Sequence, residues 1–215
     1  MSLLFNLRPS LKRELDELQP TLGYCILVDM VDSTALKDQG LDVWPMRIFN
    51  TFSLVRNYIP QFRPLKSMGD SLMFYVRETD LNEKKLTALD LFLALSFAVQ
   101  EEDKEIFGRT KVAAVYCKDA YEITFIQNTN DIYGKDVDLA GRFVSIALEG
   151  EIMMNESFVE KVRTAYKESP IQNQFPDVQK IAGPWPQMFK GFSGYINVYK
   201  LPAGGTSLTQ HMSPD

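Results

Sequence analysis

Residues 23–31 read Gly23-Tyr24-Cys25-Ile26-Leu27-Val28-Asp29-Met30-Val31, and this run decides the fold. It is short, almost continuously apolar and rich in Ile, Leu and Val, the pattern of a buried strand. One charged residue, Asp29, ends it. Asp32-Ser33-Thr34 then gives a helix-start signal. Residues 43–59 are helical in pattern, with Val43, Met46, Phe49, Phe52, Leu54 and Val55 apolar, and Pro60 closes them. Phe62 to Lys66 and Ser71 to Val76 read as strands around the tight corner Met68-Gly69-Asp70, hence a hairpin. A broadly apolar helix spans 83–100, opened by Asn82.

Further on, Lys111 to Cys117 and Tyr121 to Ile126 read as two strands joined near Lys118-Asp119. A helix follows over 135–147, then a short strand from Glu151 to Met154. Asn155 caps a helix over 156–166, the proline-bearing stretch 168–188 reads as loop, and Tyr195 to Leu201 is the last strand. This order predicts an α+β fold: a single-domain, ferredoxin-like βαββαβ core over 21–201 with a C-terminal extension. Residues 1–20 carry Leu3, Leu4, Leu7, Leu11, Leu15 and Leu18 at helical spacing. They read as an amphipathic helix, either capping the domain or meeting a partner or membrane surface. Residues 202–215 have the composition of a disordered tail.

Composition narrows the chemistry. The 215 residues carry a formal net charge of -5, which makes a nucleic-acid backbone a poor partner. The single histidine, His211, lies in the tail, which removes histidine-based catalysis and zinc sites built on His pairs. A metal here must be held by carboxylates and carbonyls, which favours Mg²⁺ or Mn²⁺. Cys25 and Cys117 sit in apolar runs and read as buried free thiols. No apolar run reaches the roughly 20 residues of a membrane span, and the first residues lack signal-peptide order. No integral membrane segment and a cytoplasmic location are therefore expected.

Asp29 at a strand end and Asp70 at a hairpin corner are costly places for a charge unless something binds it. On adjacent strands they would converge and could share a pair of cations. The structural alternative makes Asp29 and Asp32 helix caps and Asp70 a turn residue. Asp138 and Arg142 are four apart and share a helix face. They read either as an ion pair within the helix or as an arginine that neutralises a transferring phosphate.

Four segments, in order, carry a family resemblance: Val28 to Thr34, Lys66 to Met73, Asp131 to Arg142, and Phe189-Lys190-Gly191. Together they resemble the class III nucleotidyl cyclases, the adenylate and guanylate cyclase catalytic domains. The resemblance implies conversion of a nucleoside triphosphate to a 3′,5′-cyclic nucleotide and pyrophosphate with two divalent cations, Mn²⁺ or Mg²⁺. It implies that Asp29, Asp70 and the Met30 carbonyl hold the metals, and that Lys66 and Asp131 read the base. Arg142 would stabilise charge on the α-phosphate, and Lys190 would grip the terminal phosphates. It also implies a homodimer with shared active sites, metal and base contacts of one chain meeting the arginine of the other. Asp138 stands where the family usually carries the Asn that orients the ribose. A carboxylate there is unfavourable beside a triphosphate unless it pairs with Arg142 or a metal.

Read literally, Lys66 and Asp131 fit adenine, the lysine donating and the carboxylate accepting. The stand-alone build and the Tyr133-Gly134-Lys135-Asp136-Val137-Asp138 segment are more similar to the bacterial pyrimidine cyclases of antiphage defence. UTP or CTP is therefore the favoured substrate, with a downstream effector that senses the cyclic nucleotide. Phe49, Phe52 and Tyr133 are candidates for shortening the base pocket, or are ordinary core residues. Adenylate cyclase is the alternative, and a catalytically inactive nucleotide-binding domain is the second.

Overall fold

The computed structural model describes residues 17–38, 40–41, 43–100, 109–123, 131–170 and 176–203. Most of the expected N-terminal helix and of the tail lies outside the described residues.

The opening run forms β1 (Gly23–Met30), which lies inside a seven-stranded sheet. Two helices follow, α1 (Ser33–Lys37) and α2 (Trp44–Tyr58), then the hairpin β2 (Lys66–Met68) and β3 (Ser71–Arg77). Helices α3 (Glu78–Glu83) and α4 (Ala88–Gln100) lead to β4 (Thr110–Cys117). The strand order β2-β3-β1-β4, antiparallel throughout, is the expected βαββαβ core. Beyond it come the short strands β5 (Tyr121–Glu122) and β6 (Ile132–Tyr133), helix α5 (Lys135–Ile146), β7 (Ile152–Asn155), α6 (Glu156–Glu168), β8 (Ala182–Met188) and β9 (Tyr195–Leu201). Strand β7 joins β4 in parallel, and β9 and then β8 complete the sheet.

Period-2 alternation divides the sheet's two faces. Tyr24, Ile26, Val28 and Phe74 pack with α2, α3, α4 and α6 in the larger core. Cys25, Leu27, Met73, Ala113 and Val115 pack with Leu139, Ala140 and Phe143 of α5 in the smaller one. Burial on both faces is why β1 reads as continuously apolar. Among the described residues α5 is the one helix on the second face, with Phe189 and Phe192 of the β8–β9 turn packed beside it. Cys25 and Cys117 are both free and buried there.

Four sequence expectations change. The second hairpin does not form: β5 pairs with β6, and β4 lies between β1 and β7. The Asp136 carboxylate turns the chain away by accepting from the Lys118 and Asp119 amides at 2.7 and 2.9 Å. Strand β2 begins at Lys66 rather than Phe62, because the Phe62 amide is engaged in a turn to the Ile59 carbonyl at 3.1 Å. The helix expected over 83–100 is two helices, interrupted by Lys85 at φ 56°. Thr87 recaps the second through Asp90, whose Oδ2 accepts from the Thr87 amide and hydroxyl, each at 2.7 Å. The stretch taken as loop over 168–188 holds a 3₁₀ turn, Pro176–Lys180, and then β8. Prolines hid that strand from the sequence pattern, and β8 tolerates Pro184 and Pro186 because it is an edge strand.

Candidate active site

Asp29 lies on the α5 face of the sheet, two residues beyond Leu27. Its register partners are Ser71 on β3 and Lys111 on β4. The Ser71 hydroxyl donates to Asp29 Oδ1, and Lys111 Nζ lies 3.4 Å from Oδ2. Asp70 immediately precedes Ser71 in the β2–β3 turn, where Gly69 takes φ 67°, as the first position of a primed hairpin turn requires. The two carboxylates therefore sit at the ends of adjacent strands. Asp29 is not a helix cap. Asp32 holds the N-cap position of α1 in a left-handed conformation without a capping hydrogen bond, and its carboxylate accepts from Arg109 at 2.7 Å instead. Arg109 also reaches Glu149 at 2.9 Å.

Hard oxygen donors suit Mg²⁺ or Mn²⁺. The Asp29 carboxylate is already turned toward positive donors, the Lys111 ammonium standing where a cation's charge would be. Among the described residues Asp70 is engaged by no hydrogen bond or ion pair, and Met30 ends β1 beside Asp29. This donor set fits a divalent cation, although among the described residues no three His, Cys, Asp or Glu side chains gather as a metal cluster. Lys111 is the residue that sequence reasoning missed. Its only signal was a charge at the head of an apolar run, and the β1–β4 register gives it meaning.

A cavity of about 520 Å³ opens beside α5, lined among others by Lys66, Met68, Tyr133, Asp138, Gly141 and Arg142. Lys66 reaches it because its register partner is Met73, which faces α5. Asp138 and Arg142 are one helical turn apart on α5, yet no ion pair joins them, and both are exposed. Pairing with Arg142 therefore does not account for the carboxylate at 138. Lys190 lies in the β8–β9 turn, exposed and unpaired among the described residues. Phe189 fastens that turn to α5, its ring 5.5 Å from Phe143 and 6.5 Å from Phe192.

Lys66 and Asp131 meet. Lys66 Nζ donates to Asp131 Oδ1 at 2.7 Å and to Oδ2 at 2.8 Å. The Ile132 amide adds a bond to Oδ1 at 2.8 Å. Partial burial pushes the Asp131 carboxyl up, but these donors outweigh it and hold it below the usual carboxylate range. Gly134 makes this corner possible. A Cβ there would stand 2.0 Å from the Asp119 carbonyl oxygen.

Lys66 and Arg142 line one cavity of one chain, and neither Asp29 nor Asp70 lines it. The expected division puts metal and base contacts on one chain and the arginine on the other; within a single chain, Lys66 shares its cavity with Arg142. Helix α5 packs over Leu27 and Met73, so its arginine falls beside the same chain's Lys66. Of the three bulky candidates only Tyr133 lines the cavity. Phe52 packs into the core on the opposite face, and Phe49 on α2 is 66% exposed.

No protein-family model and no curated protein matches the chain. Solved structures do. The adenylate cyclases of Trypanosoma brucei in their monomeric state align at TM-score 0.61 and 16% identity, covering 86% of this chain and 93% of that one. The fold is that of the class III nucleotidyl cyclase catalytic domains. The adenylyl cyclase CyaB of P. aeruginosa aligns at TM-score 0.58 and 16% identity, over 89% of this chain and 99% of its own. A non-canonical dimeric guanylyl cyclase domain of the RhoGC fusion protein from Blastocladiella emersonii follows at 0.53 and 13%, over 85% and 97%. In this cyclase fold, among the described residues, no helix is long and apolar enough to cross a membrane.

Proposed function

We propose that this protein is a nucleotidyl cyclase that converts a pyrimidine nucleoside triphosphate, UTP or CTP, to its 3′,5′-cyclic monophosphate and pyrophosphate. The observation that carries this reading is the set of charged groups left without partners on a cyclase fold. Asp70, Asp138, Arg142 and Lys190 form no ion pair among the described residues, whereas Asp29, Asp32, Lys66 and Arg109 do. Charges left without partners suit a charged ligand.

Asp29, Asp70 and the Met30 carbonyl would hold two divalent cations. When bound, such cations polarise the attacking hydroxyl and offset charge on the leaving pyrophosphate. The chain's own residues do the rest. Lys66 holds the base edge, and Asp138 accepts from a ribose hydroxyl. The 3′ oxygen bonds to the α-phosphorus as the bond to the pyrophosphate oxygen breaks, and the hydroxyl proton leaves to solvent. Arg142 takes up charge on the α-phosphate, and Lys190 holds the departing phosphates.

Because Lys66 and Arg142 share a chain's cavity and the carboxylates lie outside it, a homodimer would join one chain's metal carboxylates to its partner's cavity. The guanylyl cyclase domain aligned above is described as a non-canonical dimer, which supports dimerisation of this fold and not this particular arrangement. The physiological setting we infer is bacterial antiphage defence, with an effector that senses the cyclic pyrimidine.

The test is incubation with each of the four nucleoside triphosphates and Mn²⁺, with mass analysis of products. Cyclic UMP or cyclic CMP is expected. Cyclic AMP would overturn the pyrimidine choice, and four unchanged substrates would overturn the cyclase reading.

A further inference from the structure

We propose that Arg109 is a positioning residue for the candidate metal centre: it clamps the turn after β1 and so aims the Met30 carbonyl toward the strand that Asp70 precedes. This rests on the reading of Asp29, Met30 and Asp70 as metal ligands given above.

The argument starts from a backbone outlier. Asp32 takes φ 57° and ψ 28°, the left-handed region that side chains rarely adopt. Such a conformation costs free energy and persists where the surroundings hold it. Asp32 makes no capping bond to the amides of α1 that would hold it from within. What holds it from outside is Arg109, 77 residues further along the chain.

Arg109 meets this turn and its surroundings at three points. Its carbonyl accepts from the Val31 amide at 2.8 Å, one step beyond the last register pair of β1 and β4, Met30 with Thr110. Its Nη2 donates to Asp32 Oδ2 at 2.7 Å, and its Nη1 donates to Glu149 Oε2 at 2.9 Å. Glu149 sits in a braced turn before β7, where the Gly150 amide donates to the Thr110 carbonyl at 2.8 Å and the Glu151 amide to the Leu148 carbonyl at 3.0 Å. The guanidinium therefore ties the β1–α1 turn to a frame built at the heads of β4 and β7.

The consequence for Met30 is geometric. Its carbonyl and the Val31 amide belong to one peptide unit, which is planar and trans, so the two groups point in opposite directions. With the Val31 N–H held toward Arg109 on the β4 side, the Met30 carbonyl faces the β3 side. There Ser71 is the register partner of Asp29, and Asp70 comes immediately before it. Loosening the clamp lets that peptide plane rotate and takes the carbonyl off line.

The experiment is titration of the full chain with Mn²⁺, free ion being read by electron paramagnetic resonance, in wild type, Arg109→Lys, Asp32→Asn and the double variant. The Arg109 and Asp32 side chains are 44% and 62% exposed, so neither change disturbs a core. Lysine keeps the charge but lacks the fork that spans two carboxylates. Arg109→Lys should bind Mn²⁺ about fivefold more weakly, the worth of an exposed ion pair or two. The double variant should fall within about twofold of Asp32→Asn, since residues of one clamp are not additive. Glu78→Gln is the control for general loosening, because the Glu78 amide holds the Leu22 carbonyl at the other end of β1. It should leave Mn²⁺ affinity unchanged. Arg109→Lys binding Mn²⁺ as wild type does overturns the proposal. So do equal losses in Glu78→Gln, or losses that add in the double variant. The expected pattern with no turnover of any triphosphate keeps the clamp and sinks the cyclase reading alone, and no Mn²⁺ binding by wild type sinks both.

Discussion

Asp29 and Lys111 face each other across β1 and β4, their charges 3.4 Å apart on the α5 face of the sheet. Their side chains are 21% and 18% exposed, so the lysine is a resident counter-charge in a partly screened place. A cation bound at Asp29 must compete with it. Lys111→Gln should therefore tighten Mn²⁺ binding by the worth of one such pair, up to about fivefold. Electron paramagnetic resonance of free Mn²⁺ reads this without turnover. Weaker Mn²⁺ binding in the variant would show that Lys111 supports the metal carboxylates instead of competing with the ion.

Mixed variants test the division of the site. Asp70→Asn with Arg142→Ala should regain about a quarter of wild-type turnover, since half of random dimers hold one intact site of two. Lys66→Ala with Asp70→Asn should do the same. Lys66→Ala with Arg142→Ala should regain nothing, because both residues line one chain's cavity. Rescue of this last pair at any ratio would return the base and arginine contacts to opposite chains.

Acid stability follows from Glu78. Partial burial raises its carboxyl, but hydrogen bonds from Lys161 at 2.5 Å and Tyr116 at 2.8 Å outweigh this and lower it. A depressed carboxylate contributes stability that is full above its unfolded value, about 4.3, and is lost as pH falls through the lower folded value. Asp131 and Asp177 are lowered as well and act in the same direction. Thermal midpoints should fall steeply below about pH 4.5. Glu78→Gln should lose about 1–2 kcal/mol at pH 7 and show a shallower fall below it. Parallel curves for variant and wild type would remove Glu78 from the account.

Phe143 ties the helix of Arg142 to the turn that carries Lys190. It is fully buried under α5, against the Phe189 ring that anchors the Lys190 turn. Phe143→Ala should cost about 3–5 kcal/mol in urea unfolding. A loss under 1 kcal/mol would show that α5 does not depend on this contact.

The fold was largely legible because its strongest signals are local. The GYCILVDMV run, the Gly69-Asp70 corner and the Asn155 cap each fix a conformation within a few residues. The misses fell where distant groups intervene. Asp136 turns the chain after β4 by accepting amides 17 and 18 residues away. The prolines of β8 are tolerated because, among the described residues, no further strand pairs beyond it.

The candidate site divides in the same way. Residue type and motif order, by themselves, singled out Asp29, Asp70, Lys66, Asp131, Asp138, Arg142 and Lys190 as the chemistry-bearing positions. They also predicted the α+β core, since strand and helix periodicity are written in the chain. Which of these residues meet was decided by tertiary structure alone. Strand register set Lys111 against Asp29, helix packing set Arg142 beside Lys66, and the segment entering β6 set Asp131 against Lys66. Register and packing bring together residues tens of positions apart in sequence. That is why the identity of the charged groups could be read early, and which of them remain free to meet a ligand could not.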